Sequence, residues 1–482
     1  VFVASLVFSA WHVYRQPAET FFLLHTRAWE LLLGGLLVFL PVAAACPPRL
    51  ASWASLAGFA AIVTSVLLYD DSLFFPGITA LLPAGGAALM IWAGERCWPN
   101  RLLAARPLVW IGILSYSLYL WHWPLIVFTR YWLADEYGLP HQCLLVVASF
   151  VMAWLSLKLV ETPFRNRRLL AGRRQVLWLA SGVILSLLAA GELIKKQQGF
   201  PARLTAQERV FLDYPRESPQ QRQCSYLSAE TVNADGLCRL PGTTAGADSP
   251  AWLLWGDSHA AALLPLMDHL ASRADISIWH GEHAACPPLL DVEWPYVQGC
   301  RAFNDAMLEA VRRHRIAHVV LASRWSVYLL GKENGSMKDV LPAASAEHRQ
   351  QLFSRHLART VHQLNEAGAT VWLLEQAPAQ AVNVPRQLTL LRMLDRDLDA
   401  GRDYASHQAR QAPLSAIFAS VAQQGRLQRI DPAQRLCETG RRCRIVQDEA
   451  PLYVDDNHLS IAGVMLLEPL FQPLLDAAVK ER

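Results

Sequence analysis

The sequence predicts a multi-helix transmembrane domain followed by an α/β domain whose parallel sheet is covered on both faces by helices. Three observations carry that expectation. Apolar runs of a length suited to crossing hydrocarbon recur through the first 194 residues. Beyond them, short apolar runs alternate with helix-like stretches, the βα pattern of a parallel sheet. Hydrophobic types make up 53% of the 482 residues and tryptophan alone supplies 17, which suits a membrane protein better than a soluble one.

In the first part the runs are 29–45, 53–69, 78–94, 108–130, 142–160 and 176–194, with residues 1–14 as a further, cut-off helix. Val1 already lies inside the apolar stretch "VFVASLVFSAWHVY". The chain therefore reads as beginning part-way through a membrane domain, with no signal peptide in view. Charge orients the spans. If the residues after 194 lie outside the cytoplasm, the inner loops are 46–52, 95–107 and 161–175, and they hold nine arginines: Arg49, Arg96, Arg101, Arg106, Arg165, Arg167, Arg168, Arg173 and Arg174. The outer loops 15–28, 70–77 and 131–141 hold two, Arg15 and Arg27. Positive charge collects on the cytoplasmic side, so the C-terminal half is expected in the periplasm or outside the cell. Net charge is only +3, with 13 Lys+Arg against 9 Asp+Glu over residues 1–194 and 31 against 32 beyond. Neither part offers the basic field of a nucleic-acid binder.

Residues 195–250 turn polar and rich in Gln, Pro, Ser and Gly, and read as a linker that partly folds onto the next domain. The domains are thus expected at 1–194, 195–250 and 251–482. From 251 onward, "AWLLW" (251–255), "ISIW" (276–279), "HVVLA" (318–322), "TVWLL" (370–374) and "LQRID" (427–431) look like buried strands. Helical patterns at 259–273, 302–314, 347–367, 404–424 and 460–479 separate or follow them. Six of the nine cysteines lie beyond residue 200, at 224, 238, 286, 300, 437 and 443. Their close pairs suggest three local disulfides in an oxidising compartment, Cys224–Cys238, Cys286–Cys300 and Cys437–Cys443. None of the pairs has the short gap of a zinc knuckle, so no metal site is expected.

"LLWGDSHAAAL" (253–263) is where chemistry enters. A serine hydroxyl is a poor nucleophile until a base takes its proton and a third group orients that base. A turn at the carboxyl end of a strand exposes the hydroxyl and aims the free N–H groups of a helix start at a developing oxyanion. Ser258 fits that place, although a plain helix cap after a strand has the same residues. Near the other end stands "YVDDNHLSIAG" (453–463). His458 is the candidate base and Asp455, three residues earlier, its orienter; Asp456 is the rival orienter, pointing to the other side of a short extended turn. Ser460 looks like the cap of a final helix.

"GDSH" early and "DDNHLS" late resemble blocks I and V of the SGNH/GDSL hydrolase superfamily. The resemblance implies a flavodoxin-like three-layer α/β fold, with Ser258 as nucleophile, His458 as general base and Asp455 as its orienter. It also implies a Gly and an Asn as further oxyanion donors. "WHGEHAACPPL" (279–289) offers Gly281, but "VVLASRWSVY" (319–328) puts Arg324 and Trp325 where the Asn block belongs. That departure resembles the branch of SGNH domains fused to membrane acyltransferases, and Gly281, Arg324 and Trp325 are the oxyanion or substrate candidates.

The membrane half carries a second resemblance. "FLLHTRAWELLLGGLL" (22–37), "LSYSLYLWHWPLIVF" (114–128) and "VETPFRNR" (160–167) look like the acyltransferase-3 family of integral membrane O-acyltransferases. Read physically, Arg27 and Glu30 share one helical face and can pair, and ionisable groups at membrane depth are functional candidates. An interfacial ion pair that anchors a helix end is the plainer reading. His122 lies between Trp121 and Trp123 with Pro124 behind it, a set that also suits an interface belt and a kink. The "FRNRR" arginines (164–168) satisfy topology and could attract the phosphates of a cytoplasmic acyl donor. The resemblance also implies an essential histidine on a helix ahead of the residues present.

Together the resemblances imply an O-acetyltransferase of the bacterial inner membrane. Acetyl groups, with acetyl-CoA as donor, would cross the bilayer, acylate Ser258 and pass to a hydroxyl of a surface polysaccharide: O-antigen, exopolysaccharide or peptidoglycan. No bound cofactor, metal or nucleic-acid partner is expected. The alternative is an extracytoplasmic carbohydrate O-acetyl esterase, in which water takes the acyl group. A third reading makes the chain a carrier whose outer domain only binds glycan.

Overall fold

The protein is described here from a computed structural model. It describes residues 1–482 except 15, 41–47, 70–72, 95–96, 134–137, 168–169, 171, 225–226, 241–250, 295–296, 333–339, 344, 399, 439–440 and 481–482. Arg15, Arg96 and Arg168 of the loop-charge argument lie outside the described residues. The described residues divide into two compact units: Val1–Trp123 with Val146–Asn166, and Pro124–Leu145 with Arg167–Glu333 and Asp339–Arg482.

Among the described residues, four helices are long and apolar enough to cross a membrane: Arg49–Leu68, Arg106–Leu133, Leu139–Arg165 and Arg173–Lys196. In Arg173–Lys196 every side chain is exposed, Trp178, Ile184, Leu187 and Leu188 among them. A helix apolar on all faces and covered by nothing finds its proper solvent in lipid. The chain is a membrane protein. The runs expected at 29–45 and 78–94 come out shorter, as helices Leu24–Leu36 and Leu81–Ala93 of 13 residues each. Thirteen residues rise about 20 Å, less than the hydrocarbon thickness of about 30 Å. The first passes into a tighter 3₁₀ turn at Leu37–Phe39, and Gly94, at φ 72°, ends the second. Helices Pro48–Leu68 and Leu81–Ala93 touch backbone to backbone where Gly58 meets Gly86; a Cβ on Gly58 would stand 2.5 Å from the Gly86 carbonyl oxygen. Small residues let membrane helices approach this closely.

The other unit holds a six-stranded sheet: β1 Cys238–Arg239, β2 Ala251–Gly256, β3 Ser277–Glu282, β4 His318–Ala322, β5 Thr370–Leu374 and β6 Leu427–Ile430. Their order is β1-β3-β2-β4-β5-β6, with β1 antiparallel at the edge and the other five parallel. Counting only the parallel strands gives 2-1-3-4-5, the flavodoxin-like order, which reverses direction between β2 and β4. In open sheets of this kind ligands bind beyond the carboxyl ends at that switch point. The five strands expected from sequence all form.

Alternate residues of each strand feed two cores. Leu253, Trp255, Val319, Leu321, Val371 and Leu373 point to one face, against helices Cys300–His314, Trp325–Leu330, Ala346–Glu366 and Tyr404–Ala422. Trp252, Leu254, Val320, Trp372 and Leu374 point to the other, against Leu264–Ala274 and the C-terminal helices. Proline divides two helices that the periodicity predicts as continuous. The run 259–273 splits into Ser258–Ala262 and Leu264–Ala274, with Pro265 in the second residue of the latter. The run 460–479 splits into Ile461–Met465, a 3₁₀ turn at Glu468–Phe471 carrying Pro469, and Gln472–Lys480. Proline lacks the N–H that would continue the ladder. The three disulfides pair as expected, Cys224–Cys238, Cys286–Cys300 and Cys437–Cys443.

Candidate active site

Gly256 ends β2 against β4 so closely that a Cβ there would collide with the Ala322 carbonyl oxygen. Glycine is therefore needed for packing at the switch point as well as for the turn. Asp257 follows as the helix cap: its Oδ1 accepts the N–H of His259 at 2.8 Å. Ser258 opens the helix Ser258–Ala262, so its own N–H has no intrahelical acceptor.

Across the rim, the segment 453–459 folds back on itself: Tyr453 bridges Leu459, and the N–H of Val454 donates to the carbonyl of His458 at 2.9 Å. Asp455 sits in this turn. Its Oδ1 accepts the N–H groups of Asn457 at 2.8 Å and His458 at 2.7 Å, and its Oδ2 lies 2.7 Å from His458 Nδ1. His458 Nε2 is 2.8 Å from Ser258 Oγ, across 200 residues of chain. Asp456 turns away to accept from the Asn457 amide at 2.7 Å. Ser460 caps the helix Ile461–Met465, accepting the N–H of Gly463 at 3.1 Å.

Electrostatics set the protonation states. Burial disfavours charged His458, but the hydrogen bond and charge of Asp455, joined by the charge of Asp257, outweigh it and raise its pKa above the ordinary value. Burial pushes Asp455 up, yet its bonds to His458 and to the Asn457 and His458 N–H groups bring it down to about 2. His259 is held at about 4, first by burial and then by the neighbouring His458 charge. His259 Nε2 lies 3.0 Å from Asn457 Oδ1, and its ring stands 4.6 Å from that of His458. A neutral His259 thus donates to Asn457 and ties the helix start to the His458 turn.

The buried Asp257 carboxylate is the hub that sequence reasoning passed over. Besides capping the helix, its Oδ2 accepts from Ser323 Oγ at 2.7 Å, Tyr328 Oη at 2.7 Å and the N–H of Arg324 at 3.0 Å. An Asp before the serine signalled only a cap; nothing in "VVLASRWSVY" announced that its Ser and Tyr would reach it.

The remaining candidates separate. Arg324 stands at the site: its charge acts on both His259 and His458, and its Nε is buried with no partner among the described residues. Trp325 does not stand there. It is fully buried, its Nε1–H donates to the Leu374 carbonyl at 2.8 Å, and it packs on Phe353 and Phe418, which makes it core. Gly281 lies inside β3, paired with Trp255, where any Cβ would collide with the Met307 side chain. It too serves packing, because the strand runs on past it to Glu282. In the membrane half Arg27 and Glu30 form the expected pair, Nε–Oε1 3.1 Å and Nη2–Oε2 2.9 Å. His122 Nδ1 turns back to its own helix, 2.7 Å from the Tyr119 carbonyl oxygen. No group of three metal-ligating side chains occurs among the described residues.

Comparison with known proteins adds four findings. The family model of the SGNH domain fused to AT3 domains matches residues 223–473. The chain is 28% identical over 162 residues to the peptidoglycan O-acetyltransferase OatA of Listeria monocytogenes, which covers 31% of this chain and 26% of that protein. It is 37% identical over 68 residues to the O-acetyltransferase OatA of Staphylococcus aureus, 14% of this chain and 11% of that one. These matches thus span about a quarter of the relatives' length or less. Among solved structures, the periplasmic domain of a lipopolysaccharide acetyltransferase from Salmonella ser. Paratyphi A aligns with a TM-score of 0.42 at 17% identity, covering 57% of this chain and 98% of that one.

Proposed function

Because this chain belongs to the family of SGNH domains fused to AT3 domains, we propose that it is an O-acetyltransferase of the bacterial inner membrane, acting on hydroxyls of a surface polysaccharide. Residues 1–194 form the membrane domain and 251–482 most of an SGNH domain outside the cytoplasm, joined by 195–250. The later part of that linker already belongs to the SGNH domain, since the family match begins at 223 and β1 lies at Cys238–Arg239. The OatA relatives are named for O-acetyl transfer, in Listeria to peptidoglycan, which supports the reaction class. Acetyl-CoA is the donor on the cytoplasmic side, and Arg27, Glu30 and His122 serve the membrane step. The single observation that carries the reading is the hydrogen-bonded line from Ser258 through His458 to Asp455.

The chemistry follows from that line. His458 Nε2 takes the Ser258 hydroxyl proton as Oγ bonds to the acyl carbonyl carbon. The oxyanion is held by the Ser258 N–H and the Arg324 guanidinium. The bond to the donor's leaving group breaks, His458 returns the proton to that group, and an acyl-serine remains. A sugar hydroxyl then gives its proton to His458 and attacks the acyl-serine. Ser258 leaves, recovers the proton, and the acetyl group ends on the sugar. Asp455 holds the imidazole in the tautomer with Nδ1–H and favours the imidazolium that forms twice per cycle.

The test replaces Ser258 with Ala in the full chain, in cells without another copy, and measures O-acetyl groups on the surface polysaccharide by NMR. Acetylation falls on the order of 10³-fold or more. Retained acetylation would overturn the reading. Release of free acetate in the presence of the polysaccharide, with no acetylated sugar formed, would favour the esterase instead.

A further inference from the structure

The carboxyl rim of the sheet carries more than the Ser258 turn. Register fixes the neighbours: Gly256 pairs with Ala322, Ala322 with Leu374, and Leu374 with Ile430. The next residues, Asp257, Ser323, Glu375 and Asp431, therefore form one row across four strands. With strands about 4.8 Å apart, Asp431 stands about 14 Å along the rim from Asp257. Over the far half of this row opens a pocket of roughly 250 Å³, lined by Glu375, Gln376, His407, Gln408, Gln411 and Asp431. A smaller cavity shares Glu375 and Gln376 with it and reaches His259 and Ser323 beside the nucleophile turn.

The polar atoms of this pocket are under-used. His407 is 5% exposed and Gln411 8%, yet neither side chain hydrogen-bonds to another described residue. Asp431 Oδ1 accepts the N–H of Ala433 at 2.9 Å, which leaves Oδ2 open. Gln376 Oε1 accepts the N–H of Ser326 at 2.9 Å, which leaves its amide N–H groups open. These groups line the open pocket, where water or a ligand can take their unused positions. Charge narrows the ligand. Glu375 is paired with Arg429 at 2.8 Å, and no Lys or Arg lines the pocket. Burial above all, with the nearby Arg402 charge, holds His407 down to about 4 and so neutral. A phosphate or carboxylate would meet Asp431 with no Lys or Arg among the lining side chains, the nearby Arg429 being already paired with Glu375. Hydroxyl groups, which donate and accept together, match a carboxylate, two amides and a neutral imidazole, and Tyr404 adds an aromatic wall.

We propose that this pocket holds a sugar residue of the acceptor polysaccharide, one that neighbours the residue acetylated at Ser258. The inference rests on the reading of Ser258 as acyl carrier. Its distance along the rim means that it selects an oligosaccharide over a single sugar.

The test uses the full chain in detergent, with the host's own surface polysaccharide, stripped of O-acetyl groups by alkali and cut to short oligosaccharides. Binding is measured with the Ser258→Ala protein, which does not turn the acceptor over, by titration and by hydrogen exchange. Bound oligosaccharide slows exchange over residues 404–415 and 431–433. Gln408→Trp, at the exposed mouth, and Gln411→Ala each weaken binding about ten-fold, and with Ser258 present each raises KM for the oligosaccharide far more than it lowers kcat. No binding, protection elsewhere only, or unchanged affinity in both variants overturns the proposal. Should Ser258→Ala still acetylate the polysaccharide, the acyl-carrier reading fails, while the binding measurement still decides the pocket.

Discussion

At the residue scale, the proposed function turns on how one imidazole is kept basic. In the proposed mechanism His458 acts only when neutral, so activity should fall as pH drops through its folded pKa. That pKa lies above the ordinary histidine value because Asp455 and Asp257 outweigh burial. Asp455→Asn removes both the charge and the acceptor at Nδ1. The acid limb of the pH profile for acetyl transfer then moves to lower pH, and kcat falls by about 10³–10⁴-fold because the wrong tautomer is favoured. A limb that stays in place would mean that Asp455 does not set the base. His259 cannot substitute for it: held at about 4, it stays neutral and is engaged with Asn457.

At the scale of elements, the site is a meeting of strand ends. Gly256 lets β2 and β4 close on each other, and the Asp257 carboxylate then fastens the loop after β4 through Ser323, Arg324 and Tyr328. Hydrogen bonds to a buried charge are worth about 1.5–3 kcal/mol each. Tyr328→Phe should lower the unfolding free energy by that amount, read from denaturant titration of the full chain in detergent. A loss under about 0.5 kcal/mol would mean that the clasp carries no stability. Helix breaks followed proline, a local effect that the hydrophobic period overrode in the sequence reading. Trp325 misled for a different reason: its position after a strand resembles a site residue, but its indole turns inward to the Leu374 carbonyl.

At the scale of the whole molecule, the arrangement demands two solvents. Residues 173–196 expose apolar side chains on every face, and three disulfides lie beyond residue 223. Reducing compartments do not keep such bonds. With Cys46, Cys97 and Cys143 replaced by Ser, Gln207→Cys should react with a membrane-impermeant maleimide on intact spheroplasts, and Arg106→Cys only after lysis. Labelling of both, or the reverse pattern, would overturn the assigned sidedness.

Sequence alone determined the membrane character, the five parallel strands, the cysteine pairs and the residues of the Ser258–His458–Asp455 line, because each is written in local signals: apolar length, strand period, short spacing, a turn motif. Only the tertiary structure decided that Asp257 binds the loop after β4, that Gly281 and Trp325 belong to the packing, and that a polar pocket stands on the far half of the rim. Those facts depend on which strand ends lie side by side. Register between strands many residues apart is set by the packing of two cores, and no short stretch of sequence encodes it.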